Sequence, residues 1–265
     1  PVSAIRPRPG YEYAWNNLLF AHIGYWSPTQ KRAGTYYDGA SVVTDPTYGA
    51  VLDTGTADGG VYYDREKFDG STGLIQTLVV LMKVDAWDSY CSFFKIPWVH
   101  DNSWADPYNS VSFNRLAAGT QAQFALVRTS DQSDRRFETS TDYLANADGV
   151  WHQYVMSRFS DTTYFYRDGE YFEDISGAGM DTSIDWGTDD APVHIGQRNY
   201  LLAGEHTQGQ FAQVLFYNRG MEPEEVAQLW HDPFAAFQPV QSTTTFQSTA
   251  APATSHMLAA MTGVM

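Results

Sequence analysis

Two stretches of this chain hold side chains whose types and spacing could do chemistry. The segment IPWVHDNSWADPY gathers Trp98, His100, Asp101, Asn102, Trp104 and Tyr108 into what reads as one long loop. Aromatic faces stack on the apolar side of a sugar ring while carboxylates and amides take its hydroxyls, and the same mixture makes protein interface hot spots. These six residues are the carbohydrate- or partner-binding candidates, and core packing or subunit contact is the commoner use of such aromatics. The second stretch carries Asp181, Asp185, Asp189 and Asp190. Oxygen-rich loops suit calcium, a hard cation, and Asp101, Asn102 and Asp106 offer a second such set. Neither has EF-hand spacing, and Asp and Asn are ordinary turn formers, which is the favoured reading of both.

Other chemistries find less support. The seven histidines form no His-x-His or His-Glu-x-x-His arrangement, and Cys91 is the only cysteine, so a structural zinc site and an intramolecular disulfide are both excluded. The acids Asp168, Glu170, Glu173 and Asp174 bracket a turn, where carboxylates are usually just solvated. No Ser-His-Asp triad can be read from spacing, and GTADGG sits between strand-like runs rather than before a helix, which argues against a phosphate cradle. With 16 Lys and Arg against 31 Asp and Glu, the net charge of −15 repels phosphate backbones and anionic membrane surfaces, so nucleic acid is not an expected partner.

The elements that must position these residues read as strands. From about residue 18 to 217, short runs of period-2 character alternate with Gly, Asp, Asn and Pro breaks, and no amphipathic helical stretch appears before residue 221. WHQYVMSRFSDTTYFYRDGEYF predicts a β-hairpin whose Asp168-Gly169 pair tolerates positive φ. GQFAQVLFYNRGMEPEEVAQLW predicts a closing strand, then a helix near residues 222–230 opened by Pro223 and acidic residues, with Val226, Leu229 and Trp230 on one face. Cys91 lies in an alternating run where a small apolar side chain would face inward. Hydrophobic residues at 43% and aromatics at 15% can fill a large core, so a single all-β domain over 18–237 is expected.

The ends read differently. Residues 1–17 form a Pro- and Arg-containing extended arm, and residues 238–265 a Ser-, Thr- and Ala-rich tail. Such segments gain too little from their own burial to offset the entropy of ordering, so they would become ordered only by gripping a neighbouring chain. A homo-oligomer or larger assembly is therefore expected. The opening PVSAIRPRPG holds no apolar core of signal-peptide length, and LVVLM is far too short to span a bilayer. The lone cysteine points the same way, towards a reducing compartment, and a soluble, unsecreted product without membrane insertion is expected.

The hairpin and helix segments resemble the laminin-G-like and pentraxin-like branch of the concanavalin A-type lectin/glucanase superfamily. Matching residues are Trp151, His152, Tyr164, Tyr166, Asp168, Gly169, Ile195, Gly196, Tyr217, Asn218, Arg219, Glu224, Glu225 and Leu229. Weaker matches run through LLFAHIGYW as a first strand, YGAVLDTGTADGGVYYD as the strand pair after it, and TLVVLMKVDAW as a central strand. One departure is Glu222, where such helices usually place a Ser or Thr cap, so this helix start is expected to lean on charge and dipole. The resemblance implies an antiparallel two-sheet jelly-roll sandwich.

The family also contains glucanases, whose signature is Glu-x-Asp-x-Glu, yet no Glu here has Asp two positions later. Retaining glycoside hydrolysis needs two carboxyl groups roughly 5 to 5.5 Å apart across the scissile bond, which a β-strand supplies by spacing acids two apart on one face. No enzyme activity and no catalytic residue is therefore expected. The DPFAAFQP stretch is similar to endings of phage proteins carrying this domain. The preferred expectation is a non-enzymatic virion structural protein, a capsid decoration or head-surface protein first and a tail or fibre component second, made in the host cytoplasm. The alternative is a glycan-binding adhesion module of a phage tail or cell surface, with or without calcium as cofactor.

Overall fold

The computed structural model describes residues 17–24, 26–27, 32–55, 59–66, 75–87, 91–97, 110–115, 120–127, 134–140, 142–145, 147–176, 191–196, 206–234 and 237. The arms expected over 1–17 and 238–265 fall outside them except for Asn17. In chain order the strands are β1 (Leu18–Ile23), β2 (Trp26–Ser27), β3 (Arg32–Ala33), β4 (Thr35–Tyr37), β5 (Ser41–Asp45), β6 (Gly49–Asp53), β7 (Gly60–Glu66), β8 (Thr77–Trp87) and β9 (Cys91–Pro97). They continue with β10 (Ser110–Arg115), β11 (Ala122–Val127), β12 (Asp134–Glu138), β13 (Trp151–Phe159), β14 (Thr162–Arg167), β15 (Glu170–Ser176), β16 (Ala191–Ile195) and β17 (Thr207–Tyr217), and one helix follows, α1 (Pro223–His231).

All the pairings are antiparallel and fall into two sheets. The first runs β15-β14-β13-β8-β17-β1-β2-β3, with the β5-β6 hairpin joined to β17, and the second runs β12-β11-β10-β9-β16-β7-β4. Long-range neighbours such as β8 with β17 and β9 with β16 make this a sandwich rather than a meander, as the expected jelly roll requires. The core between the layers takes Phe20, Leu78, Val80, Met82, Met156, Phe211, Val214 and Phe216 from the first sheet and Val61, Tyr63, Phe93, Phe113, Val193 and Ile195 from the second.

The period-2 rule explains which residues fill it. Along β8, Leu78, Val80, Met82 and Val84 point between the sheets, while Val79 and Leu81 point the other way and are also fully buried. That outer face is covered by α1, whose Val226 and Leu229 pack with Val79, Val155, Leu215 and Tyr217. A strand covered on both faces has no polar side to show, which is why LVVLM is a continuous apolar run.

The predicted hairpin is a three-stranded meander. Ser160 has φ 55° and Asp161 follows it in the first turn, and Asp168 (φ 55°) and Gly169 (φ 80°) make the second, the two positive φ values that a primed hairpin turn needs. Gly169 is further constrained because a Cβ there would meet Trp230 Cβ at 3.0 Å.

The helix start departs from expectation. The Glu222 N–H donates to the Glu225 carboxylate at 2.9 Å, and Arg219 grips that carboxylate through two bonds of 2.7 and 3.1 Å. The start is thus held by hydrogen bonds as well as by charge, because Glu225 does for the Glu222 amide what a second capping group would. Ser157 fastens the same region to the sheet: its hydroxyl accepts the Met221 N–H at 2.7 Å and donates to the Met221 carbonyl at 2.9 Å.

Candidate functional site

The aromatic and polar side chains with the most specific arrangement lie where β13 begins. Trp151, its first residue, sits across from Lys83 of β8 and on the α1 side of the sheet. The indole Nε1–H donates to Asp45 Oδ2 at 3.0 Å. Asp45 ends β5, and the Asp-Pro-Thr-Tyr-Gly sequence after it makes a tight turn in which Asp45 Oδ1 accepts the N–H of Thr47 at 2.8 Å and of Tyr48 at 3.0 Å. An Asp at that place is the usual way to close such a turn on its own side chain.

The turn delivers Tyr48 edge-on to the Trp151 ring, with centroids 4.9 Å apart and planes at 76°. Phe234 packs on the other side of Tyr48 at 5.9 Å. Lys83 Nζ lies 5.4 Å from the Trp151 ring centre and 3.8 Å from Asp45 Oδ2, so one ammonium serves both the indole face and the carboxylate. Asp45 is 7% exposed. Burial pushes its carboxyl pKa up, but the bonds from Trp151, Tyr48 and Thr47 and the nearby Lys83 outweigh that, and the group ends below its ordinary value. Burial, then Asp45 and Asp168, push the Tyr48 hydroxyl up, so it is a neutral donor at any physiological pH.

Beside this cluster stands a second one built on His152. Its Nδ1 lies 2.7 Å from Asp168 Oδ2, at the β14–β15 turn, and its Nε2 lies 3.5 Å from Asp148 Oδ2, in the segment that leads into β13. Asp168 Oδ1 also accepts the Gln153 N–H at 2.9 Å, and Asp148 Oδ1 accepts the Val150 N–H at the same distance. The hydrogen bond with Asp168 raises the His152 pKa above the ordinary imidazole value; burial opposes it, and Asp148 adds to it. For Asp148, a burial penalty is outweighed by the bond from Val150 and by the nearby His152 imidazole, so its pKa falls. The outcome is an aromatic pair of Trp151 and Tyr48 on the helix side of the sheet, with the part-exposed carboxylate of Asp168 close enough to Tyr48 to raise its pKa, while His152, next along the strand, packs with Tyr154 on the other side and faces Asp148 there.

This arrangement can stack an apolar face and accept hydrogen bonds, and it offers no nucleophile activated by a base. The other buried histidine with a clear environment, His22, is a core group: its Nδ1 is 2.6 Å from the Tyr63 hydroxyl and burial pushes its pKa down to about 3. Among the described residues no group of three or more His, Cys, Asp and Glu could hold a metal ion. Among them, too, no helix is long and apolar enough to cross a membrane.

The residues singled out from the sequence fare unevenly. Trp98, His100, Asp101, Asn102, Trp104 and Tyr108 lie between β9 and β10, and Asp181, Asp185 and Asp189 between β15 and β16, and all of them fall outside the described residues. The side chain of Cys91 does too. Of the acids around the β14–β15 turn, Asp168 holds His152, Glu173 accepts the Ser140 N–H at 2.6 Å and Asp174 accepts the Tyr171 hydroxyl at 2.5 Å, so they have structural tasks beyond solvation.

Trp151, His152 and Asp168 were visible as motif residues, but Asp45, Tyr48 and Lys83 were not. The Asp-Pro-Thr-Tyr-Gly turn was the one signal for the first two, and nothing in it says that its carboxylate meets an indole 106 positions away.

Comparison with known proteins gives a consistent picture. Residues 77–227, more than half of the chain, match the family described as the concanavalin A-like lectin/glucanases superfamily. No curated protein sequence matches. Among solved structures, the chain is similar to the CBM40 domain of Ruminococcus gnavus IT-sialidase bound to α2,3-sialyllactose, with TM-score 0.50, 12% identity, and coverage of 74% of this chain and 97% of that one. It is also similar to domain 4 of AbnA, an extracellular arabinanase of family GH43 from Geobacillus stearothermophilus in complex with arabinotriose, with TM-score 0.57, 14% identity, and coverage of 80% and 98%. The binding domain of botulinum neurotoxin DC in complex with SialylT gives TM-score 0.56 and 12% identity, over 81% of this chain and 51% of that one. At these identities the likeness is one of fold.

Proposed function

Because the chain belongs to the concanavalin A-like lectin/glucanases superfamily, we propose that it is a non-catalytic glycan-binding module. The observation that carries this reading is the aromatic pair of Trp151 and Tyr48, fixed by Asp45, with the part-exposed Asp168 carboxylate close to Tyr48. A sugar ring binds by laying its C–H face on an aromatic ring and giving its hydroxyl protons to carboxylates, and both groups are in place before ligand arrives. The two carbohydrate-binding neighbours are spanned over nearly their whole length, which supports a self-sufficient binding unit.

A virion structural role, preferred on the sequence alone, drew on the two terminal arms and the DPFAAFQP stretch. Glycan binding draws on described side chains and is preferred here. A particle-attachment role would use the same site.

The test is a glycan array probed with the full chain, covering neutral and sialylated oligosaccharides, with and without a calcium chelator. Wild type is expected to bind at least one saccharide class, and Trp151→Ala to weaken it at least tenfold with its far-UV circular dichroism unchanged. Trp98→Ala and Trp104→Ala report on the β9–β10 segment, and loss of signal with chelator would assign a role to calcium. No binding to any glycan under either condition refutes the reading.

A further inference from the structure

Beneath the last turn of α1, two glutamines are buried in a way that the protein's own atoms do not explain. Gln153 of β13 and Gln213 of β17 are both 0% exposed. They occupy one cross-strand row, since Gln153 and Gln213 each face Leu81 of β8 from opposite sides. The register shift between Phe211 and Gln213 turns Gln213 outward, away from the inter-sheet core and towards the helix, as its bond to Pro233 confirms. Gln153 shares that side, because Trp151 and Val155, two residues before and after it, pack with the outer clusters.

The amide of Gln213 donates from Nε2 to the Pro233 carbonyl at 2.7 Å, while its Oε1 has no hydrogen-bond partner. Gln153 is more extreme: neither Nε2 nor Oε1 has one. The roof over this row is apolar or aromatic, made of Trp230 and Phe234 packed with Leu81 and Ala212. Trp230 closes the near end, since a Cβ on Gly169 would meet its Cβ at 3.0 Å and Gly169 follows the residue that pairs with Gln153.

A buried amide left without partners is costly, and native interiors almost always supply them, from protein or from ordered water. The two glutamine Cα atoms are two strand spacings apart, roughly 10 Å, with Leu81 between them on the same side of the sheet, so both amides stand over one strip of the β8 surface. Three unsatisfied atoms, two of them acceptors and one a donor, are what an internal water needs, since it both donates and accepts.

We infer that Gln153 and Gln213 form an internal hydration site, in which one or more ordered waters bridge the two amides over Leu81 beneath Trp230. The site's ligand is a small neutral hydroxyl group, a donor and acceptor at once; an ion is disfavoured because neither amide carries charge to balance it. This hydration couples the seat of α1 to the start of β13, two residues from Trp151. It rests on packing alone and stands whether or not a saccharide binds at the neighbouring aromatic pair.

A crystal structure of the full chain at better than about 1.8 Å is expected to show a water within 2.6 to 3.2 Å of Gln153 Nε2 or Oε1 and of Gln213 Oε1. An empty site, or one in which a protein group takes those bonds, overturns the inference. The second measurement is urea unfolding of Gln153→Met and Gln213→Met, which keep length and volume but cannot hold water. If the amides are hydrated, both variants lower the unfolding midpoint. If the amides sit dry, removing an unsatisfied polar group leaves the midpoint unchanged or raises it, and either result refutes the hydration site.

Discussion

Replacing Asp45 by Asn is the sharpest perturbation of the aromatic pair, because it changes one atom of the carboxylate and separates its two duties. Oδ1 closes the turn by accepting the Thr47 and Tyr48 N–H groups, and an Asn carbonyl oxygen can keep both bonds. Oδ2 receives the Trp151 indole N–H at 3.0 Å and faces Lys83 at 3.8 Å, and an Asn amino group there would point a donor at two donors. A charge-assisted hydrogen bond in a buried setting contributes about 1.5 to 3 kcal/mol. A partly exposed ion pair such as that with Lys83 adds at most about 1 kcal/mol.

The expected loss for Asp45→Asn at pH 7 is therefore about 2 to 3 kcal/mol, roughly 30- to 150-fold in the folding equilibrium. Urea unfolding followed by far-UV circular dichroism measures it, and near-UV dichroism reports whether the Trp151 ring loses its fixed setting. The difference should also depend on pH with a definite sign. The folded-state pKa of Asp45 is lowered from 3.8, so its contribution is complete above that value and disappears as pH falls through the lower folded one. A change below about 0.5 kcal/mol at pH 7, within the ordinary scatter of surface substitutions, would refute the claim that this carboxylate holds the indole.

Two further outcomes follow from the neighbouring contacts. His152 has a folded pKa above its ordinary 6.5, so its pairing with Asp168 and Asp148 stabilises the fold fully below that value and is lost as pH rises through the higher folded one; His152→Asn should flatten this part of the stability profile above pH 6.5, and an unchanged profile would refute the assignment. Leu229→Ala removes a fully buried side chain from the contact between α1 and the sheet, at an expected cost of about 2 to 5 kcal/mol by urea unfolding, and a loss under 1 kcal/mol would mean the helix is not seated as described.

Individual strands were legible where local pattern and burial agree. Trp151–Phe159 and Thr207–Tyr217 announce themselves by alternation and aromatic content, and Pro223 with Glu224 and Glu225 marks the helix start. Asp168-Gly169 could be read as a turn because few other pairs accept positive φ twice in a row. The third strand of the meander, Glu170–Ser176, was missed because EYFEDIS carries three acids and does not alternate cleanly. It is the outermost strand of its sheet, where only one neighbour constrains it and charge is tolerated.

Chemistry followed a different rule from fold. Residue type alone drew attention to Trp98, Trp104 and the Asp181–Asp190 run, because aromatics and acids close in sequence look like a site. The described cluster instead joins residues far apart: Asp45 to Trp151, Lys83 to both, and Tyr48 to Phe234. Composition and periodicity determine which face of a strand is apolar, since that is a local property of a chain with period 2, and so they give the all-β class, while the two-sheet layering came from the family resemblance. Which turn meets which strand end depends on β5 lying near β13 through the crossed strand order, a non-local result of packing two sheets and a helix on one core, and only the folded chain decides it.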